Sequence, residues 1–312
     1  MQQTALKRTK KPLWPRIQKY WGFYLLFIPV LVFLIVFHYL PMFGISFAFT
    51  KYNLIKDPVF VGLANFERLF KLPKFWSAFQ NTLELSIVKL LLNTGMAVVI
   101  SLFLNEIANI KAKKLAQTII YMPHFMSWVV TAAVFQMLFS PTTAGLVNQA
   151  LLSMGVIDKP IYFLGTSGTW RFSYYIINIW KDTGWGTVIF MATLSGIDPG
   201  VYEAASIDGA GRFQKMFYIT LPALANTILT VLVLNLAKVM NLFESAFVLQ
   251  NDAVMDTAQV LQTYVYYQTF NSGGIPDYGY TTAIGLFRSL VGMLLVVVCN
   301  MVSKKIRGRG IV

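Results

Sequence analysis

Six stretches of the chain carry long apolar runs with few charges, and polar or turn-forming residues separate them. They cover about 21–40, 81–106, 116–139, 172–196, 218–248 and 281–303. A helix needs about 20 such residues to cross roughly 30 Å of hydrocarbon. The pattern predicts an all-α, polytopic membrane protein with six transmembrane helices. The first stretch follows Lys7, Arg8, Lys10, Lys11, Arg16 and Lys19, the charge order of a signal peptide. A signal's apolar region is only about 7–15 residues long, however. This one is longer and more spans follow, so it reads as a retained helix.

Composition supports a membrane protein. Only 12% of residues are charged, 56% are hydrophobic and mean hydropathy is +0.59. A soluble domain carries about 25% charged residues, and a disordered chain has low hydrophobicity. The lone Cys299 excludes an internal disulfide framework. The 26 Lys and Arg against 13 Asp and Glu would suit nucleic acid, but their placement argues otherwise. The basic residues cluster in the N-terminal tail, at Lys111, Lys113 and Lys114, at Arg212 and Lys215, and at Lys304, Lys305, Arg307 and Arg309. The alternate loops hold Lys51, Lys56, Arg68, Lys71, Lys74 and Lys159. Positive-inside asymmetry then places both termini in the cytoplasm. The expected organisation is a basic cytoplasmic tail (1–20), a six-helix transmembrane domain (21–303) and a second cytoplasmic tail (304–312). The external loop 42–79 has amphipathic stretches at 66–70 and 75–79, which suit an interfacial helix. Loops 140–170 and 250–280 read as caps, as a docking surface or as plain connections.

The loop between the fourth and fifth spans reads as a short helix. Asp198 suits an N-cap, Pro199 the first helical position and Gly209 the left-handed residue beyond the end. About ten residues, roughly 15 Å, are too short to span. Ala204 and Ala205 give this helix a low-profile surface, with Glu203 and Asp208 beside it. A second helix is expected from near Gly211 into the fifth span, with Pro222 fixing the angle at the membrane. These signals fit a rigid elbow and an ordinary interhelical loop equally well.

The run Glu203-Ala204-Ala205, then Gly209, then Ile219, Leu221 and Pro222 resembles the EAA loop of ABC importer permeases at every specified position. The resemblance extends to Phe37-His38-Tyr39-Leu40-Pro41-Met42, to the run from Tyr121 to Val130 and to Gly145-Leu146-Val147-Asn148. It includes Ile179-Trp180-Lys181-Asp182-Thr183-Gly184-Trp185-Gly186 and Ala283-Ile284-Gly285-Leu286-Phe287-Arg288-Ser289. These runs are similar to the oligosaccharide and polysaccharide branch of the sugar permeases. That resemblance implies a MetI-like, maltose-type fold in the bacterial cell membrane, with the EAA loop (198–222) as a cytoplasmic coupling helix. It implies alternating access coupled to a separate ATPase dimer, which binds the ATP and Mg. It also implies a second homologous permease as heterodimer partner, a sugar-binding lipoprotein outside and an oligosaccharide substrate. Glu203, Ala204, Ala205, Asp208, Gly209, Ile219, Leu221 and Pro222 would form the ATPase coupling surface.

The chain has no G-x-x-x-x-G-K-[ST] run, so it lacks a phosphate cradle of its own. His38 and His124 have neither metal-ligand company nor a triad setting, and both read as structural. Ionisable residues inside spans are functional candidates because their burial in lipid is costly. Here they are Lys181, Asp182, Lys238, Glu244 and Arg288. Sugars call for aromatic platforms and hydrogen-bonding side chains. The candidates for a substrate path are therefore Tyr121, Trp128, Asn178, Trp180, Lys181, Trp185, Asn235, Lys238, Asn241 and Glu244. An amino-acid or peptide importer, an ion-coupled secondary transporter and a non-transport scaffold are the alternatives. The secondary transporter would need broken-helix or paired acidic sites in two related halves.

Overall fold

A computed structural model of the chain describes residues 13–307 apart from 54, 56, 143, 144 and 272. The outer parts of both basic tails, and Lys56, lie outside the described residues. The protein is mostly helical. In chain order the helices are α1 (Leu13–Lys19), α2 (Trp21–Leu34), α3 (Ala64–Lys71), α4 (Pro73–Glu106), α5 (Ile110–Tyr121), α6 (Trp128–Leu138) and α7 (Leu146–Ser153). There follow α8 (Ser167–Leu194), α9 (Pro199–Ile207), α10 (Arg212–Lys215), α11 (Leu221–Leu236), α12 (Phe243–Leu249), α13 (Met255–Ala258), α14 (Leu261–Phe270) and α15 (Tyr278–Arg307). A two-residue hairpin pairs β1 (Thr50–Lys51) antiparallel with β2 (Val59–Phe60).

Among the described residues, four continuous helical segments are long and apolar enough to cross a membrane: Trp21–Phe49, Pro73–Glu106, Arg212–Leu236 and Tyr278–Lys305. The expected third span is not straight. Ile110–Phe125 and Trp128–Leu138 meet at 102°, where Pro123 cannot donate an amide and Ser127 caps α6 by accepting from Val130 N. The expected fifth span is also interrupted, because α11 stops at Leu236 and the chain turns before α12 starts at Phe243. The fourth stretch is one unbroken 28-residue helix, α8.

In two places the helix widens to a π turn two residues before a proline. Ile35–Tyr39 precedes Pro41, and Met216–Thr220 precedes Pro222. A proline leaves one upstream carbonyl without its usual partner. The extra residue lets the amides of Leu40 and Leu221 reach back to the carbonyls of Ile35 and Met216.

The core is built on α4 and α8, which run side by side. At one end Leu85 packs with Tyr174 and Ile177, and at the other Leu102 and Leu104 pack with Phe190 and Leu194. Gly184 brings α8 close to α5: a Cβ there would stand 2.0 Å from the backbone oxygen of Ile120. The interhelical loops fold back on the bundle, held by side-chain N–H donors. Asn65 donates to the carbonyls of Ala48 and Thr50, fully buried Asn148 to those of Ser140 and Ile161, and Trp170 Nε1 to that of Leu249. The 75–79 stretch, expected at the membrane interface, instead begins the core. Phe75 is fully buried and sits edge-on to Phe287 of α15, because α4 extends a little over two turns beyond the apolar run that marked it.

Candidate functional site

A cavity of about 420 Å³ lies between α4, α8 and α11, within the usual size range for small-molecule sites. Both helix interruptions open onto it. His124 comes from the α5–α6 bend, and Lys238, Asn241 and Leu242 come from the α11–α12 turn. Non-helical backbone at membrane depth is tolerated only where protein buries it or where it lines a wet cavity, since each unpaired peptide group costs several kcal/mol in hydrocarbon.

Side chains satisfy the groups that each break frees. Lys181 is buried in α8 and donates to the carbonyls of His124 (3.0 Å) and Met126. Its ammonium also stands 5.4 Å from the Trp128 ring, and Lys89 approaches the same ring at 5.7 Å. At the second break, the buried Ser86 hydroxyl donates to the carbonyl of Val239, and the Gln262 side chain accepts from Phe243 N at 2.8 Å. Asp182 joins α8 to both neighbouring elements. One carboxylate oxygen is 3.6 Å from Lys89 Nζ, and the other is 3.4 Å from His124 Nδ1. The His124 ring stacks on Trp185 at 5.0 Å and 9°.

Of the expected path residues, Trp185, Asn235, Lys238 and Asn241 line this cavity. The others have different surroundings. Lys181 lies behind the wall, holding the bend, and Trp128 sits against it. Buried Asn178 donates to the Tyr174 carbonyl of its own helix at 2.7 Å. Trp180 stands edge-on to Phe135. Tyr121 is half-buried at the end of α5, and Glu244 is exposed on the first turn of α12. Sequence reasoning left out of the path Ser86, Lys89, Asn93 and His124 and named Asp182 only as an ionisable candidate, and all five line the cavity. Lys89 and Asp182 carried a usable signal, since each is a charge inside an apolar stretch. His124 and Asn93 carried none that spacing reveals.

The elbow is a self-contained piece of local structure. The Asp198 carboxylate accepts from Gly200 N at 2.9 Å. At the other end of α9, Gly209 has φ +80, its amide donates to Ser206 O, and Ala210 N donates to Ala205 O. That double closure is the Schellman arrangement. Gly211 N donates to Gln214 Oε1, opening α10, while Lys215 Nζ donates to Ser206 Oγ and the Tyr202 and Thr220 hydroxyls pair. Yet α9 buries none of its residues. Glu203, Ala204, Asp208 and Gly209 are exposed and Ala205 is partly so. Ile219 and Leu221 are half-buried where α10 runs into α11, and Pro222 is exposed.

Residues 97–308, which include the elbow and most of the cavity wall, match the model of the binding-protein-dependent transport system inner membrane component. The chain belongs to that family. Protein LplB of Bacillus subtilis (strain 168) is 37% identical over 292 residues, covering 92% of this chain and 90% of that protein. The polygalacturonan/rhamnogalacturonan transport system permease protein YteP of the same organism is 37% identical over 298 residues, covering 94% and 90%. Among solved structures, a bacterial alginate ABC transporter in complex with an alginate pentasaccharide-bound periplasmic protein contains a similar chain. The TM-score is 0.85 at 33% identity, with 96% of this chain and 100% of that one covered. The fold is therefore the permease fold of this family, in a multi-pass membrane component whose relatives are transport permeases and not enzymes.

Proposed function

We propose that this chain is one of two homologous permease subunits in an ATP-driven, binding-protein-dependent importer of oligosaccharides or polysaccharide fragments. The similarity to a polysaccharide permease and to an alginate transporter supports the sugar class. The chain supplies the passage. A cytoplasmic ATPase dimer binds ATP and Mg, and an extracytoplasmic lipoprotein delivers the glycan. Six spans result when the bent α5–α6 pair counts as one and α8 is added. Its polar residues face protein and not lipid, which accounts for its low hydropathy. Both termini then lie in the cytoplasm, and the family's alternating access moves the glycan past the α4–α8–α11 cavity.

The carrying observation is the elbow. A helix capped at both ends, tied to the fifth span and burying none of its residues presents a formed surface without a partner in this chain. Val201 is 46% exposed and Ile207 is 88% exposed. Around Ala204 and Ala205 this is the shape of a part that enters another subunit's cleft, and in this family that subunit is the ATPase. Movement of the ATPase dimer then passes through Glu203, Asp208 and Gly209 to Ile219, Leu221 and Pro222, and so into α11.

Replacing Ala205 with Trp adds volume where the fit is tightest. The expected result is loss of the ATPase from the purified complex, with the permease pair still assembled. Retention of ATPase and normal uptake in that variant would remove the coupling assignment.

A further inference from the structure

The ionisable side chains that line the α4–α8–α11 cavity are Lys89, His124, Asp182 and Lys238. They are not equivalent. Asp182 pairs with Lys89 at 3.6 Å, and its other carboxylate oxygen stands 3.4 Å from His124 Nδ1. That end of the cavity is internally balanced. Lys238, on the non-helical turn between α11 and α12, makes no ion pair among the described residues. It is exposed to the cavity and lies between Asn235 and Asn241, whose side chains also line it. The turn is fixed from behind by the Ser86 hydroxyl on the Val239 carbonyl. The cation is thus held on an anchored piece of backbone.

A lone ammonium inside a membrane bundle is costly and tends to mark a pathway. Its cost falls when an anion comes alongside, and a charge-assisted hydrogen bond is about twice as strong as a neutral one. Flanking amides can donate to a carboxylate or to hydroxyls. The Asn93 Oδ1 atom on the same wall is shielded from solvent and lacks a hydrogen-bond partner among the described residues. One cation, several amides and the Trp185 ring together match a sugar that bears a carboxylate.

We propose that Lys238 is a specificity-determining residue of the passage, favouring oligosaccharides that contain uronic acid units over neutral ones. The inference rests on the sugar-importer reading and adds to it the charge of the cargo and the residue that reads it.

The test uses the intact permease–ATPase complex purified without its binding protein, so that the delivery protein's preference does not enter. Equilibrium dialysis measures binding of a trigalacturonate and of its carboxyl-reduced neutral counterpart. The wild type is expected to bind the acidic trimer more tightly, with a preference that shrinks as salt is added. Lys238→Gln is expected to lower the acid-over-neutral affinity ratio about tenfold, and Lys238→Arg to keep it. A structural role would weaken both trimers together and leave the ratio unchanged, and that result overturns the proposal. So does loss of the second permease from the Lys238→Gln complex, which would mean that the cation pairs with that subunit. Equal binding of both trimers by the wild type overturns the charge preference but leaves the importer of sugars in place. Binding of neither trimer overturns both.

Discussion

α2 and α8 are both helices of this membrane component, and they are opposites. α2 is strongly apolar, and all of its residues are exposed on the surface of this chain. α8 carries Ser173, Asn178, Lys181, Thr183 and Thr187 among its buried residues, and it alone of the long helices is not apolar enough to be recognised as spanning by composition. It is nonetheless the helix around which the bundle packs. Hydropathy therefore reports what surrounds a helix. A helix facing lipid must be apolar, whereas a helix enclosed by others keeps polar groups as long as each finds a partner. On α8 those partners are specific: the His124 and Met126 carbonyls for Lys181, and Lys89 for Asp182.

The sharpest way to break that comparison is to remove the partner. Lys181→Met keeps much of the side chain's length and apolar stem but leaves two partly buried carbonyls at the α5–α6 bend unsatisfied. Each such group costs about 1–3 kcal/mol. The expected loss is about 3 kcal/mol or more, read as a large drop in the thermal midpoint of the purified complex. A midpoint equal to wild type would mean that the bend holds without the lysine. A smaller effect is expected at Gly184. A methyl there collides with the Ile120 carbonyl, which is backbone and cannot swing aside. Gly184→Ala should cost about 2 kcal/mol, within the range for overpacking a close contact. It should also shift the α5–α6 bend relative to α8, which distance measurements between spin labels on α5 and α8 would detect.

The local chemistry of the elbow was legible in the sequence because it depends on neighbours in the chain. Asp198, Pro199 and Gly209 occupy the expected capping positions. The apolar runs likewise located most long helices to within a few residues at one of their two ends. The breaks at 122–127 and 237–242 were not legible. A proline marks the first, but many membrane helices tolerate a proline, and no residue type marks the second. Each break is stable only because a side chain distant in sequence reaches it: Lys181 in one case, Ser86 and Gln262 in the other. The cavity follows the same logic. Trp185, Asn235, Lys238 and Asn241 were found by chemistry. Ser86, Asn93 and His124 lie there because two helices stop, and periodicity does not report where a helix will stop.

The smallest effect is expected on α2, and it sharpens the comparison from the other side. Phe27 is 52% exposed and touches no buried cluster of this chain. Exchanging one apolar side chain for another against lipid changes neither hydrogen bonding nor burial inside the subunit. Phe27→Leu should therefore leave the thermal midpoint within about a degree, since a change of about 1 kcal/mol already moves a domain of 150–250 residues by roughly 2–4 °C. A clearly larger shift would show that this face of α2 is packed in the assembled transporter. The uniform hydrophobicity of the helix would then reflect a subunit interface instead of the bilayer. Repeating the measurement on the isolated subunit separates the two cases, because a loss confined to the assembled complex belongs to the interface alone.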